Sequence, residues 1–341
     1  MRSFPCLAPL AAVCVTLGAC TSVRTFQHFE RLPAPVSFVN GAVRLSGVVL
    51  KPDGVGPFPA VVFVHGSGPS TWDRPAWRAH ANAFTRGGFA VLVYDKRGSG
   101  QSTGLLATSD YDDLAADVAA AVRYLRTRSD IRGDGIGLLS RSEGGWVAPL
   151  AAVADTAIRF VIMSSGAAVG PYAQTVYATG HALRAAGASP QDIEAAVTVR
   201  MAIWDYYRRG ASDSAYAASP VRDSLLRALA AFARYGDAEM PRAIAPYSRA
   251  VFAAATRMHF YDPKPALAGL RVPLLAVLGA DDVSVEPATT VAVLDSLRRS
   301  GRDITIKVLS GVGHSLQRPW YVGAIYPPDY LSTVVAWART K

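Results

Sequence analysis

The stretch Leu139-Ser140-Arg141-Ser142-Glu143-Gly144-Gly145 constrains this chain more than any other. A short apolar run at 136–139 ends there and passes at once into a helix-compatible segment at 146–153. When a strand turns that abruptly into a helix, the central residue sits in strained backbone, and the residues two positions away must be small to avoid collision. Ser140 and Gly144 meet the requirement around Ser142. The turn has the form of a nucleophile elbow, with Ser140 a mild departure from the usual Gly at the first small position. Such a turn presents a Ser hydroxyl at the edge of a sheet. The rest of the chain must then supply a base, an acid and an oxyanion hole in the right order.

The flanking pattern fits a sheet of that kind. Continuous apolar runs recur at 60–64, 90–93, 136–139, 160–163 and 274–278, with a weaker one at 304–308. An alternating stretch at 42–50 closes on the turn signal Lys51-Pro52-Asp53-Gly54. Continuous runs suit strands buried on both faces of a parallel sheet, and helical patterns lie between them. The clearest helix covers 111–127, with Leu114, Val118, Ala121, Val122 and Leu125 on one face. The alternation predicts an α/β fold with a doubly wound, mostly parallel sheet.

The rhythm breaks once. Between 164 and 272 no strand is evident, and 172–186, 190–208, 221–235 and 248–260 read as helices. Gly187-Ala188-Ser189-Pro190 and Ser219-Pro220 punctuate them as stop and start signals. A helical insertion at about 168–268, between two late strands, is most simply a cap over the sheet's carboxyl edge. Its aromatic residues (Trp204, Tyr206, Tyr207, Phe232, Tyr235, Phe260, Tyr261) either line an acyl or aryl pocket or, as their helical spacing favours for most of them, form the cap's own core.

Half of the 341 residues are hydrophobic and 18% are charged, enough for a sizeable core and contrary to disorder. The net charge of +9 comes from scattered residues with no Lys/Arg run, so it predicts solvated arginines rather than a nucleic-acid partner.

Residues 1–19 have the shape of a secretory signal: Arg2, then an apolar stretch too short to span a bilayer. Leu17-Gly18-Ala19-Cys20 resembles a bacterial lipobox, which implies cleavage before Cys20 and lipidation of its thiol. Cys14 is a poorer candidate because bulky Val13 precedes it. Thr21, in place of the Asp that often marks inner-membrane retention, leans towards the outer membrane. The expectation is a periplasm-facing lipoprotein of the bacterial cell envelope, with a tether at 20–38 and a catalytic domain at 39–341. All three cysteines (Cys6, Cys14, Cys20) lie in the leader region, which excludes an internal disulfide or a Cys-built metal site in the domain.

A nucleophilic Ser needs a base, and His suits that near neutral pH. Of the six histidines, His314 stands in Gly311-Val312-Gly313-His314-Ser315, directly after the last strand of the pattern. The imidazolium needs an anionic partner, and Leu278-Gly279-Ala280-Asp281-Asp282 places two carboxylates at the end of the preceding strand. Oxyanion donors are expected from the N–H after the nucleophile, that of Glu143, and from the Gly-rich loop His65-Gly66-Ser67-Gly68-Pro69. Ser67 N–H is the assigned second donor and Gly66 the alternative. His65 reads as a structural residue bracing the loop. The Glu143 side chain is expected to lie exposed on the first helical turn.

His65–Pro69, Tyr94-Asp95-Lys96-Arg97-Gly98-Ser99-Gly100-Gln101-Ser102 and Ser142–Gly145 together resemble the bacterial serine hydrolases of the α/β-hydrolase superfamily, in particular the esterase and serine-aminopeptidase-like group. The likeness covers about 40–165 and 270–315. The chain order Ser142, Asp282, His314 is that of α/β hydrolases. The family pattern G-x-x-D-x-x-V aligns Gly279, Asp282 and Val285, which favours Asp282 over Asp281. The resemblance implies cleavage of a small-molecule carboxylic ester through an acyl-enzyme, with no metal or organic cofactor. A peptidase or amidase on the same residues is the runner-up, and a catalytically idle scaffold the reading from a different class. In the family the 95–102 segment is chiefly a structural loop; a contact from Arg97 to substrate is the other possibility. Arg141 stands where relatives commonly have His.

Overall fold

The computed structural model describes residues 28–236, 240–320, 323–327 and 329–341. The leader and Cys20 lie outside them. Strands β1 (Ala34–Asn40), β2 (Val43–Leu50) and β3 (Phe58–Val64) are followed by α1 (Pro75–Arg86), β4 (Ala90–Tyr94) and α2 (Tyr111–Arg126). Next come β5 (Ile131–Arg141), α3 (Gly144–Ala154) and β6 (Ile158–Ser164). After the inserted helices the sheet resumes with β7 (Leu274–Gly279), and α10 (Pro287–Arg299) leads to β8 (Ile304–Leu309). A short hairpin of β9 (Arg318–Trp320) and β10 (Gly323–Ile325) precedes α11 (Tyr330–Arg339).

The eight main strands form one sheet in the order β1-β2-β4-β3-β5-β6-β7-β8. Pairing is parallel from β4 to β8, while β1 and β2 are antiparallel. β4 and β7 are buried at every position, as runs covered on both faces require. On one face lie α2, α3 and α10, through Leu114, Val118, Val147 and Leu294. On the other lie α1 and α11, through Trp77, Phe84, Tyr330 and Val334. α2 begins with a full capping box: Asp110 accepts from the Asp113 N–H, and Asp113 accepts from the Asp110 N–H.

One boundary differs from the sequence expectation. The tether predicted at 20–38 overlaps β1, which starts at Ala34 and turns back on β2 at Gly41 (φ 56°). The strand lies at the sheet's edge, where Pro35 is tolerated, and only Phe38 is fully buried. Half-exposed edge strands lack the apolar run by which the central strands announce themselves.

Among its described residues the insertion carries six α-helices, α4 (Pro171–Ala185), α5 (Pro190–Ser212), α6 (Ser214–Ala217), α7 (Val221–Ala230), α8 (Arg249–His259) and α9 (Lys264–Gly269), with a non-helical stretch at 240–248. It forms a cap with its own core around Ile203, Tyr206, Leu229 and Phe252. Trp204, Tyr206 and Phe232 are buried within it, and Trp204 lies flat on His259 at 4.2 Å. Phe260 remains 45% exposed. Among the described residues no helix is long and apolar enough to cross a membrane.

Candidate active site

β5 ends at Arg141 and α3 begins at Gly144, so Ser142 and Glu143 are the whole turn. Ser142 has φ 50°, a left-handed conformation that costs a non-glycine residue on the order of 1 kcal/mol or more. The turn persists because its surroundings hold it: Ser142 N–H donates to the Ser164 carbonyl at 3.0 Å. A Cβ on Gly144 would lie 2.7 Å from the Val64 carbonyl oxygen and 2.8 Å from that of His65, so only glycine fits. Ser140 fills the other small position, fully buried, with its hydroxyl donating to the Ile162 carbonyl at 3.0 Å. That bond accounts for the departure from Gly: the added hydroxyl is satisfied by β6.

Ser142, His314 and Asp282 meet at this edge. Ser142 Oγ is 2.9 Å from His314 Nε2, and His314 Nδ1 is 2.8 Å from Asp282 Oδ2. An ionised carboxylate can only accept, so Nδ1 carries the proton and Nε2 is left to accept from the Ser142 hydroxyl. The second oxygen of Asp282 accepts from the N–H groups of Ser284 and Val285, at 2.8 and 2.9 Å. Asp282 is 2% exposed, whereas Asp281 faces solvent. Of the two carboxylates considered, Asp282 is therefore the one against the imidazole. The cap reaches this loop, because the Tyr177 hydroxyl of α4 donates to the Asp282 carbonyl at 2.9 Å.

The loop after β3 approaches the elbow closely: a Cβ on Gly66 would lie 3.4 Å from Ser142 Cβ. The Gly66 carbonyl accepts from Lys96 Nζ at 3.0 Å. In a trans peptide the carbonyl and the following N–H point in opposite directions, so Ser67 N–H is turned away from Lys96. Ser67 borders a cavity of about 290 Å³ shared with Ser142 and His314. His65 is buried edge-on against Trp77 and Tyr94, a packing position consistent with a structural role.

One sequence expectation needs correction. The Glu143 side chain is buried, not exposed, and its Oε1 lies 2.7 Å from Lys96 Nζ. The elbow's neighbours bury it, and a buried carboxylate requires the cation found there. Arg97 does not reach the cavity: it is held bidentate by Asp117, at 2.6 and 2.8 Å, and donates to Ser109 Oγ at 3.0 Å. Asp95 accepts from the N–H groups of Trp72 and Gln101, and a Cβ on Gly100 would strike its carboxylate at 2.2 Å. The 95–102 segment is thus a clamp around the loop after β3. The Lys96–Glu143 contact was not anticipated. Its sequence signal was only a Lys in one motif and a Glu in another.

His80 lies under the site. Its Nδ1 donates to the Ala76 carbonyl at 3.1 Å, so Nε2 accepts from the Tyr330 hydroxyl, 3.0 Å away. Burial pushes His80 and His65 down to about 3, so both rings are neutral near pH 7. Among the described residues, no group of three or more His, Cys, Asp or Glu side chains is placed to hold a metal ion.

A family model described as serine aminopeptidase, S33, matches residues 56–318. The esterase EstD of Thermotoga maritima is 33% identical over 116 residues, which cover 33% of this chain and 27% of EstD. The bifunctional esterase/perhydrolase DCH of Acinetobacter calcoaceticus is 40% identical over 87 residues, 23% of this chain and 31% of DCH. The chain thus matches about a third or less of each of these relatives' length. The Pyrococcus furiosus esterase Pf2001 superposes with a TM-score of 0.59 at 15% identity over 91% of each chain, a likeness of fold alone. With more than half of its length matched by that family model, and with the sheet and elbow described above, the chain belongs to the S33 serine aminopeptidase-like family of α/β hydrolases.

Proposed function

We propose that the protein is a serine hydrolase that cleaves carboxylic esters through an acyl-enzyme on Ser142. The observation that carries the reading is the hydrogen-bonded series Ser142 Oγ, His314, Asp282 at the carboxyl edge of the sheet. His314 takes the hydroxyl proton as Ser142 attacks the acyl carbonyl, and Asp282 steadies the imidazolium that forms. The N–H groups of Ser67 and Glu143 receive the developing oxyanion. His314 then protonates the departing alkoxide, and a water activated by the same imidazole releases the acid. That two curated relatives are named esterases favours an ester.

The name of the matching family favours a second reading, an aminopeptidase or amidase on the same residues. Hydrolysis of p-nitrophenyl esters beside aminoacyl anilides distinguishes the two. Ester turnover should exceed anilide turnover, and the reverse would promote the peptidase. Failure of a fluorophosphonate probe to label the protein would favour an idle scaffold on the hydrolase fold.

We also propose lipidation of Cys20, with the hydrolase domain held to a bacterial envelope membrane, facing the periplasm, the outer membrane favoured. Leu17-Gly18-Ala19-Cys20 and Thr21 support this. A multi-chain lipid anchor would hold the domain stably where a single chain would not. Cys20→Ser should release the protein from the membrane fraction, and unchanged retention would defeat the proposal.

A further inference from the structure

The cavity beside Ser142 carries two cations that the fold does not use. Arg74 and Arg141 both line it, together with Ser67, Trp77, Ser142 and His314, and no carboxylate does. The contrast with neighbouring cations is sharp. Lys96 has Glu143 and Arg97 has Asp117, each pair buried and at hydrogen-bond distance. Among the described residues, neither Arg74 nor Arg141 makes a side-chain hydrogen bond or an ion pair. Arg141 is half-buried, next to the nucleophile, where an uncompensated charge is costly unless a ligand supplies the counter-charge.

Other features of the cavity have the same polarity. α1 starts there with Arg74 as its N-cap, no side-chain cap and no acidic residue in its first turn. Asp73, just ahead of the cap, is exposed and accepts from the Thr71 hydroxyl, so the first-turn N–H groups are left without a side-chain acceptor. Trp77 is 3% exposed, and its indole Nε1 has no partner among the described residues. Guanidinium groups match a carboxylate with paired, directional hydrogen bonds, which hydroxyl or carbonyl groups of a neutral ester cannot offer as charge.

We propose that Arg74 and Arg141 form an anion subsite, and that the substrate is an ester bearing a carboxylate a few bonds from its scissile carbonyl. The inference rests on the serine-hydrolase reading and specifies its substrate class. The carboxylate could sit on the acyl or on the alcohol side, and matched ester pairs tell these apart. Monomethyl glutarate against methyl valerate tests the acyl side. 4-Acetoxybenzoate against 4-methylphenyl acetate tests the alcohol side. In each pair the two esters differ only by a carboxylate in place of a methyl group.

The experiment measures kcat/KM for both members of each pair on the full chain, then on Arg141→Gln and Arg74→Gln. The readout is the ratio of anionic to neutral ester, in which any general damage to folding or catalysis cancels. For one of the pairs this ratio should exceed one in the wild type. It should fall about tenfold or more in Arg141→Gln, mostly through KM, and also fall in Arg74→Gln. Raised salt should lower it too. Turnover of neutral esters with both ratios unchanged by either substitution would overturn the subsite and leave the hydrolase standing. A chain that hydrolyses none of the four esters and takes no label at Ser142 would overturn both readings.

Discussion

Lys96 Nζ lies 2.7 Å from Glu143 Oε1 and 3.0 Å from the Gly66 carbonyl oxygen, with both side chains buried. One ammonium thus joins the two segments whose amides are the proposed oxyanion donors. It fixes the Gly66–Ser67 peptide from behind and steadies the elbow from the side. We assign Lys96 a positioning role.

Lys96→Met should cost about 3–5 kcal/mol of stability, because it leaves the Glu143 carboxylate buried and unpaired. It should also lower kcat, with KM changed less, as expected when a preorganised donor loosens. The double variant Lys96→Met/Glu143→Gln separates the two effects. Chemical denaturation should find most of the stability restored, while kcat stays low because the Gly66 carbonyl is still unheld. Parallel recovery of both would reduce Lys96 to a structural residue.

The same pair shows how far the sequence could be read. The central strands were legible because burial on both faces writes an uninterrupted apolar run. The proposed triad was legible because three strand ends carry Ser142, Asp282 and His314 in the chain order of α/β hydrolases. Lys96 and Glu143 are 47 residues apart, and their contact depends on β4 and β5 flanking β3 in the sheet. No local pattern records that. Nor does a helical period tell whether Trp204 faces the site or the cap's own core, since either is an apolar face.

Asp282→Asn should lower kcat by about ten-thousandfold, because an amide facing Nδ1 favours the wrong tautomer of His314. Asp281→Asn should have little effect, since that side chain is exposed. Steady-state ester kinetics on both variants checks this, and the reverse pattern would move the acid by one residue.

Gly144→Ala forces a methyl to within 2.8 Å of two backbone carbonyl oxygens, of Val64 and His65, neither of which can swing away as a flexible side chain would. Destabilisation of about 1–3 kcal/mol should follow, with a kcat loss of up to about a hundredfold from displacement of Ser142. A variant with unchanged melting temperature and unchanged kcat would show that the elbow tolerates a wider approach.

Stability should fall on the acid side for a reason independent of the carboxylates. His65 and His80 are pushed down to about 3 and His259 to about 4, each chiefly by burial. The unfolded chain therefore binds more protons between about pH 6.5 and those values. The contribution is complete above about pH 6.5 and is lost as pH falls, by up to about 1.4 kcal/mol per unit per histidine. Melting temperatures from pH 7 to 4.5 should decline accordingly. His259→Phe keeps a ring on Trp204 and should flatten the decline, whereas an unchanged slope would remove His259 from the account.

Covalent labelling tests the central claim most directly. A fluorophosphonate probe on the full chain, followed by peptide mass analysis, should place a single adduct on Ser142. Ser142→Ala should lose both the label and ester turnover, the latter by about a millionfold. An adduct on another residue, or labelling that survives the substitution, would contradict the assignment of Ser142 as nucleophile.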